Sequence, residues 1–222
     1  MSLQIPSYLF LGDCNTLGTP DIEGRAYPEL LAKHTGARIT NCGHTMCTVR
    51  EGTEYFQRYF DRSQQLICIQ FGLVDSWLTF KYAPYALYYP DSPGRKLARK
   101  LIKKYKKWCK QLGLNRLLGS KNVVPLEEYR ARIHQIIQEA NDIPVILIET
   151  IPNKDTSRNP EIRRYNQALK EIAQSHAQCF VLTLYDDFAH AQQIHYSDST
   201  HLSEAGHAYV ARKLQQLIEQ KL

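Results

Sequence analysis

Apolar runs of four to seven residues, separated by helix-length amphipathic stretches, recur along this chain and set most of what it can fold into. The runs are residues 8–11, 37–40, 65–71 (QLICIQF), 143–149 (DIPVILIE without its first Asp) and 179–184 (CFVLTL). The helical stretches are 25–34, 51–60, 126–140, 160–176 and 203–220. Gly36 closes the first of these, and Ser203 is placed to cap the last. Strands this apolar need cover on both faces, and their alternation with helices implies parallel crossovers. Five such strands suit a single α/β domain, a flavodoxin-like three-layer sandwich around a five-stranded parallel sheet. Sheets of this kind bind ligands beyond the carboxyl ends of their strands. A chain of 222 residues builds one such domain comfortably and two only with difficulty. No repeat, low-complexity tract or linker divides 1–222.

Composition narrows the function. No stretch reaches the roughly 18 apolar residues of a spanning helix, and the start of the chain has neither the basic nor the long apolar region of a secretory leader. We therefore expect a soluble, cytoplasmic protein whose six cysteines are reduced. Cys68 and Cys179 lie inside strand-like runs and are expected in the core. The segment Cys42-Gly-His44-Thr-Met-Cys47 matches no standard zinc spacing, so no metal or other cofactor is expected. The formal charge of +6 is concentrated in residues 95–110, which hold nine Lys and Arg and no acid and leave a net −3 on the rest. One basic element on a mildly acidic domain is not the profile of a nucleic-acid binder.

Four local features fall where the sheet would place a site. The first strand ends in Gly12-Asp13-Cys14-Asn15, and the second leads into Asn41-Cys42-Gly43-His44. The third ends in Gly72-Leu73-Val74-Asp75. Before the last helix comes Asp198-Ser-Thr-His201-Leu-Ser, followed by Glu-Ala-Gly206-His207. In this order the chain resembles the SGNH (GDSL-type) hydrolases, whose pattern is G-D-S, a glycine after strand two, G-x-N-D, and D-x-x-H before the final helix. Residues 165–169 (YNQAL) also look like that family's penultimate helix. The resemblance covers nearly the whole chain and implies the SGNH fold, with Cys14, His201 and Asp198 as the catalytic set. It also implies that the N–H groups of Cys14 and Gly43 receive the oxyanion. Asp13, His44, Val74, Asp75, Trp77 and Tyr82 are the expected surroundings of the substrate, with Asp13 and Asp75 hydrogen-bonding backbone around the site.

Two positions depart from the family's pattern. Cys14 replaces the nucleophilic serine, and a thiolate favoured by a neighbouring imidazole can do the same work. Val74 replaces the asparagine and has no N–H to offer the oxyanion. Loss of one such donor costs about 2.7–4 kcal/mol of transition-state stabilisation in a serine protease. Other enzyme signatures are missing: there is no G-x-S-x-G elbow and no glycine-rich phosphate loop.

An insertion at about 77–125 separates the third strand from the next helix. It opens with WLTFKYAPYALYYP, whose Trp77, Phe80, Tyr82, Tyr85, Tyr88 and Tyr89 suit sugar rings or acyl chains, or else pack the insertion onto the body. The basic segment follows. Leu97, Leu101, Tyr105, Trp108 and Leu112 form one helical stripe within it, with Lys and Arg over most of the remaining face. Such a helix could rest peripherally on an anionic membrane, clamp an anionic substrate, or dock its stripe on the domain. The leading reading is an acyl-ester hydrolase or acyl transferase acting on an O-acylated carbohydrate or related small ester. The alternative is a catalytically weakened binding module, recruited to anionic membrane or glycan assemblies by the basic insertion.

Overall fold

The computed structural model describes residues 5–222; residues 1–4, where the sequence was read for a leader, lie outside the described residues. Its strands are β1 (Ser7–Gly12), β2 (Arg38–Gly43), β3 (Leu66–Gln70), β4 (Leu78–Phe80), β5 (Ser120–Asn122), β6 (Val145–Ile148) and β7 (Cys179–Leu182). Five of them form a parallel sheet in the order β2–β1–β3–β6–β7, while β4 and β5 pair antiparallel in a separate ribbon. The expected five-stranded parallel sheet between two helical layers is the one observed.

The period of two along each strand explains the layers. Tyr8 and Phe10 of β1, Leu66 and Cys68 of β3, and Ile146 and Ile148 of β6 share one face. That face is covered by Tyr27 and Leu31 of α2 (Tyr27–Thr35) and by Val210, Ala211 and Leu214 of the closing C-terminal helix (Glu204–Lys221). Leu9, Leu11, Ile67, Ile69, Val145 and Leu147 point the other way. They meet Phe56 of α3 (Val49–Tyr59), Ile133 and Ile137 of the helix Leu126–Ala140, and Leu169 of the helix Asn159–Gln174. With both faces covered, the carboxyl ends of the strands are the open edge of the sheet. The short helix α1 (Cys14–Leu17) sits there directly after β1.

Several buried polar groups fix that edge. Asp75 accepts from the Val49 N–H at 2.9 Å and the Gly72 N–H at 3.0 Å, joining the turn after β3 to the start of α3. Asn166 donates to the Thr150 carbonyl and accepts from its N–H, which holds the chain just after β6. Tyr129 donates to the Phe71 carbonyl.

The insertion leaves and rejoins the body at one place, because β4 pairs Leu78 with Asn122 and Phe80 with Ser120. Between these strands lie the long helix α4 (Pro93–Gln111), started by Ser92, and the short helix α5 (Leu114–Leu118). The aromatic residues divide. Phe80 joins Ala83 and Cys109 in a small core of the insertion's own, and Tyr89 stacks on Tyr55 of the body with ring centroids 3.9 Å apart. Tyr85 bonds to buried Glu51, and Arg99 covers the Tyr88 ring. The stripe of α4 does not dock on the domain. Leu101 is 60% exposed and Trp108 57%, with Leu97, Tyr105 and Leu112 also exposed. The helix instead rests on its Cys109 side.

Candidate active site

Cys14 is presented by the turn from β1 into α1. Asp13 caps the helix by accepting from the Asn15 N–H at 2.8 Å, so Cys14 is its first residue. Gly12 permits the tight turn, since a Cβ there would fall 1.9 Å from the Thr16 hydroxyl. Beneath it, Gln70 at the end of β3 donates to Asp13 and accepts from Thr16, whose hydroxyl also meets Tyr27. The Cys14 side chain is only 8% exposed and packs among Leu73, Ile162 and Tyr185. Burial pushes its thiol well up, and the neighbouring Asp13 charge adds to this; the backbone N–H groups of Cys14 and Asn15 pull it down by less. This corrects the expectation of a partly ionised sulfur. An apolar pocket beside a carboxyl penalises the anion more than one helical turn favours it. The surroundings of Cys14 therefore disfavour the thiolate.

His201 and Asp198 form a close pair. The ring Nδ1 lies 2.6 Å from Asp198 Oδ2, while Asp198 Oδ1 accepts from the N–H groups of Thr200 at 2.6 Å and His201 at 2.7 Å. Partial burial works to raise the Asp198 carboxyl, but these bonds from His201 and Thr200 hold it below its ordinary value. A carboxylate on Nδ1 leaves Nε2 free to take a proton. No hydrogen bond joins Nε2 to Cys14 among the described residues, and catalytic contacts of this kind commonly tighten only when substrate is bound.

The Asp198–His201 loop is held to α1 by a residue that the sequence reading did not single out. Asn15 donates through Nδ2 to the Thr200 carbonyl at 3.2 Å and accepts on Oδ1 from the Leu202 N–H at 3.0 Å. Asn153 also binds the Thr200 hydroxyl, and the Lys154 N–H donates to the Ser199 carbonyl. Nothing local in the sequence marks it, because its partners lie 185 and 187 residues away.

The other expected residues fall in different places. The Gly43 N–H is not free for an oxyanion, because it donates to Asn41 Oδ1 at 2.8 Å. Glycine is needed there for close packing: a Cβ would lie 2.4 Å from the Leu17 backbone nitrogen on α1. Three residues on, Met46 holds φ at 65°, a left-handed conformation uncommon for a residue with a side chain. Its N–H donates to no protein acceptor among the described residues. His44 is turned onto its own loop, with Nδ1 3.0 Å from the Thr45 carbonyl. Tyr82 is exposed on the outer surface against Phe80. Asp13 and Asp75 are fully buried with their oxygens engaged, so they support the site and do not touch a substrate. Cys42 and Cys47 lie in the core, not in an open loop, and burial pushes the Cys42 thiol up to about 12.

Burial also pushes the Asp13 carboxyl up to about 7, against the pull of the Asn15 N–H, Gln70 and the His201 charge. The folded chain keeps that proton to near neutrality, whereas an unfolded Asp releases it at about pH 4. Over this interval the folded state binds more protons, and the contribution of Asp13 to stability falls as pH rises. Asp13→Asn removes the titration. Its urea midpoint relative to the parent should therefore move upward between about pH 5 and about pH 8. A difference independent of pH would contradict a protonated Asp13.

Val74 and Trp77 do meet a large opening. A cavity of about 640 Å³ lies between α4 and the body, with Met46, Val74, Trp77, Tyr85 and Tyr88 on the body side. Val74, which lines it, is followed back along the chain by Leu73, which packs on Cys14.

The sequence that builds this site matches the family model of the GDSL-like Lipase/Acylhydrolase family over residues 10–209. The chain belongs to this family. It is thereby classed among the ester-bond hydrolases. No curated protein matches the sequence. Among solved structures, a lipase/acylhydrolase from Enterococcus faecalis superposes with a TM-score of 0.69 at 14% identity, covering 98% of this chain and 97% of its own. A catalytic mutant of an acetylxylan esterase from Geobacillus stearothermophilus gives 0.64 at 18% identity, covering 97% and 95%. At such identities these likenesses establish the GDSL fold of the chain and nothing finer.

Proposed function

We propose that the chain is an acyl-ester hydrolase or acyl transferase that works through Cys14, His201 and Asp198 on an O-acylated carbohydrate or related small ester. The observation that carries this reading is the 2.6 Å His201–Asp198 pair, clamped by Asn15 to the helix that begins with Cys14. In the Geobacillus acetylxylan esterase, the catalytic mutants replace a serine, an aspartate, and a histidine three residues after that aspartate, the same spacing as Asp198 and His201. That enzyme's substrate also supports the carbohydrate assignment.

Because the resting sulfur is protonated, His201 acts as general base during the attack and does not hold a preformed ion pair. As Sγ bonds to the acyl carbon, Nε2 takes the thiol proton. The oxyanion is received by the N–H of Cys14 at the start of α1. Collapse expels the sugar oxygen, which takes the proton from Nε2 and leaves a thioester on Cys14. Water or a second hydroxyl, deprotonated by His201, then attacks the thioester carbon; the C–S bond breaks, and the Cys14 sulfur takes the proton back from Nε2.

The reduced, folded protein should hydrolyse p-nitrophenyl acetate and acetylated xylo-oligosaccharides. If it turns over no ester and accepts no acyl donor, the non-catalytic binding module takes the place of this reading. Three observations favour that second reading: the buried thiol, the engaged Gly43 N–H and the donor missing at Val74.

Of the readings open for residues 95–110, peripheral contact with an anionic membrane is kept in the proposal because the apolar stripe of α4 faces solvent. Among the described residues, nine of the fourteen exposed large hydrophobic residues lie in the insertion. Lys104, whose ammonium lies over the Trp108 ring and outside the cavity lining, is set beside the stripe to meet an anionic lipid surface. Leu101→Ser with Trp108→Ser should reduce sedimentation with phosphatidylglycerol vesicles at least about tenfold without lowering the melting temperature. Equal sedimentation of the variant and the parent would rule out insertion of the stripe.

A further inference from the structure

The basic side of α4 is the side turned to the cavity. An ordinary surface helix buries its apolar face and shows its charges to water. Here Lys96, Arg99, Lys100, Lys103 and Lys106 line the cavity, and no acidic residue lines it. Lys96 and Arg99 are partly neutralised by Asp91, at 3.1 and 2.6 Å. Lys100, Lys103 and Lys106 reach no carboxylate within ion-pair distance among the described residues. Behind the opposite wall, Glu51 is fully buried, with its oxygens taken by Thr48, Tyr85 and the Tyr88 N–H. Lys106 is half-buried, and its ammonium is pushed down by burial and by Lys121. Cations gathered beside a low-dielectric wall with no counter-charge repel one another, and a bound oxyanion would relieve that repulsion.

The opposite wall is chemically different. Trp77, Tyr85 and Tyr88 give it flat aromatic surface, and the volume of about 640 Å³ is of the size that holds a ligand of one or two rings. Val74 lines the cavity, and its chain neighbour Leu73 packs on Cys14.

We propose that this cavity binds a sugar bearing an oxyanion, a carboxylate or a phosphate, held by Lys100, Lys103 and Lys106, and that the ester cleaved at Cys14 belongs to an acidic sugar. The anion site stands on the cavity alone; only the word ester rests on the hydrolase reading.

The test separates the two. Cys14→Ala protein, which cannot turn over substrate, is titrated calorimetrically with glucuronic acid, glucose 1-phosphate and glucose. At low salt at least one acid should bind at least about tenfold more tightly than glucose, and the stronger of the two identifies the anion. The advantage should shrink with added salt, because ionic screening weakens partly exposed charge pairs. Replacing Lys100, Lys103 and Lys106 by Gln should abolish it, and replacing them by Arg should keep it, since Arg retains the charge. Equal affinity for the acids and glucose, no binding of either acid, or an advantage untouched by the Gln substitutions would overturn the proposal. Acid binding by a protein with no esterase activity would uphold the anion site and remove only the hydrolase reading.

Discussion

Cys14→Ser is expected to keep esterase activity at or above the parent's level, while Cys14→Ala loses about four decades of it. The reason lies in the state of the sulfur. A cysteine nucleophile outperforms serine when its surroundings hold it as thiolate. Here the surroundings do the reverse: Leu73, Ile162 and Tyr185 dry the thiol, and Asp13 opposes its ionisation. His201 must remove the proton in the attacking step, as it would from a hydroxyl, so the arrangement is one that serves serine equally well. The hydroxyl enters a largely apolar niche, which should cost on the order of 1 kcal/mol of stability. Values of kcat/KM on p-nitrophenyl acetate for the three proteins, together with their urea midpoints, check this. A Ser variant that is folded but as inactive as the Ala variant would show that the site depends on sulfur.

Asp198→Asn should lower kcat about 10³- to 10⁴-fold and leave the melting temperature almost unchanged. The amide oxygen of Asn can still accept from the Thr200 and His201 N–H groups, as Oδ1 does now. The loop therefore stays in place. What changes is the atom facing the His201 ring, where Oδ2 now accepts at 2.6 Å. An amide NH₂ there makes Nδ1 the acceptor and puts the ring proton on Nε2, the tautomer that cannot act as base toward Cys14. A loss of less than about fivefold would mean that His201 does not need this orientation.

Much of the fold could be read from local pattern, because buried strands and amphipathic helices carry their burial in their spacing. The runs 8–11 and 65–71 contain the cores of β1 and β3, and Asp198 and His201 are near enough in sequence for their pairing to be visible there. Contacts made across the chain were not visible. Asn15 meets Thr200 and Leu202 from far away in sequence, and nothing local marks it as a clamp. Gly43 was read as an oxyanion donor because a glycine after strand two suggests a free N–H. Its actual constraint is the backbone of α1 lying against it, and its N–H is taken by Asn41. The stripe of α4 was weighed as a docking face because apolar residues at helical spacing usually find the core. The ribbon of β4 and β5 sets the helix on its Cys109 side instead and leaves the stripe in solvent. The thiol's state was misjudged for a similar reason. The pairing logic of Cys and His is local chemistry, but the walls that dry Cys14 come from the helix Asn159–Gln174 and from Tyr185.

The central claim is that Cys14 carries the acyl group. Intact-mass and peptide mass spectrometry, after brief mixing of reduced protein with p-nitrophenyl acetate and acid quenching, tests it most directly. One acetyl group should appear on the peptide containing Cys14, removable by hydroxylamine, and should be missing in His201→Ala. Turnover of the ester with no acetyl on Cys14, or acetyl spread over lysines and unaffected by His201→Ala, would contradict it.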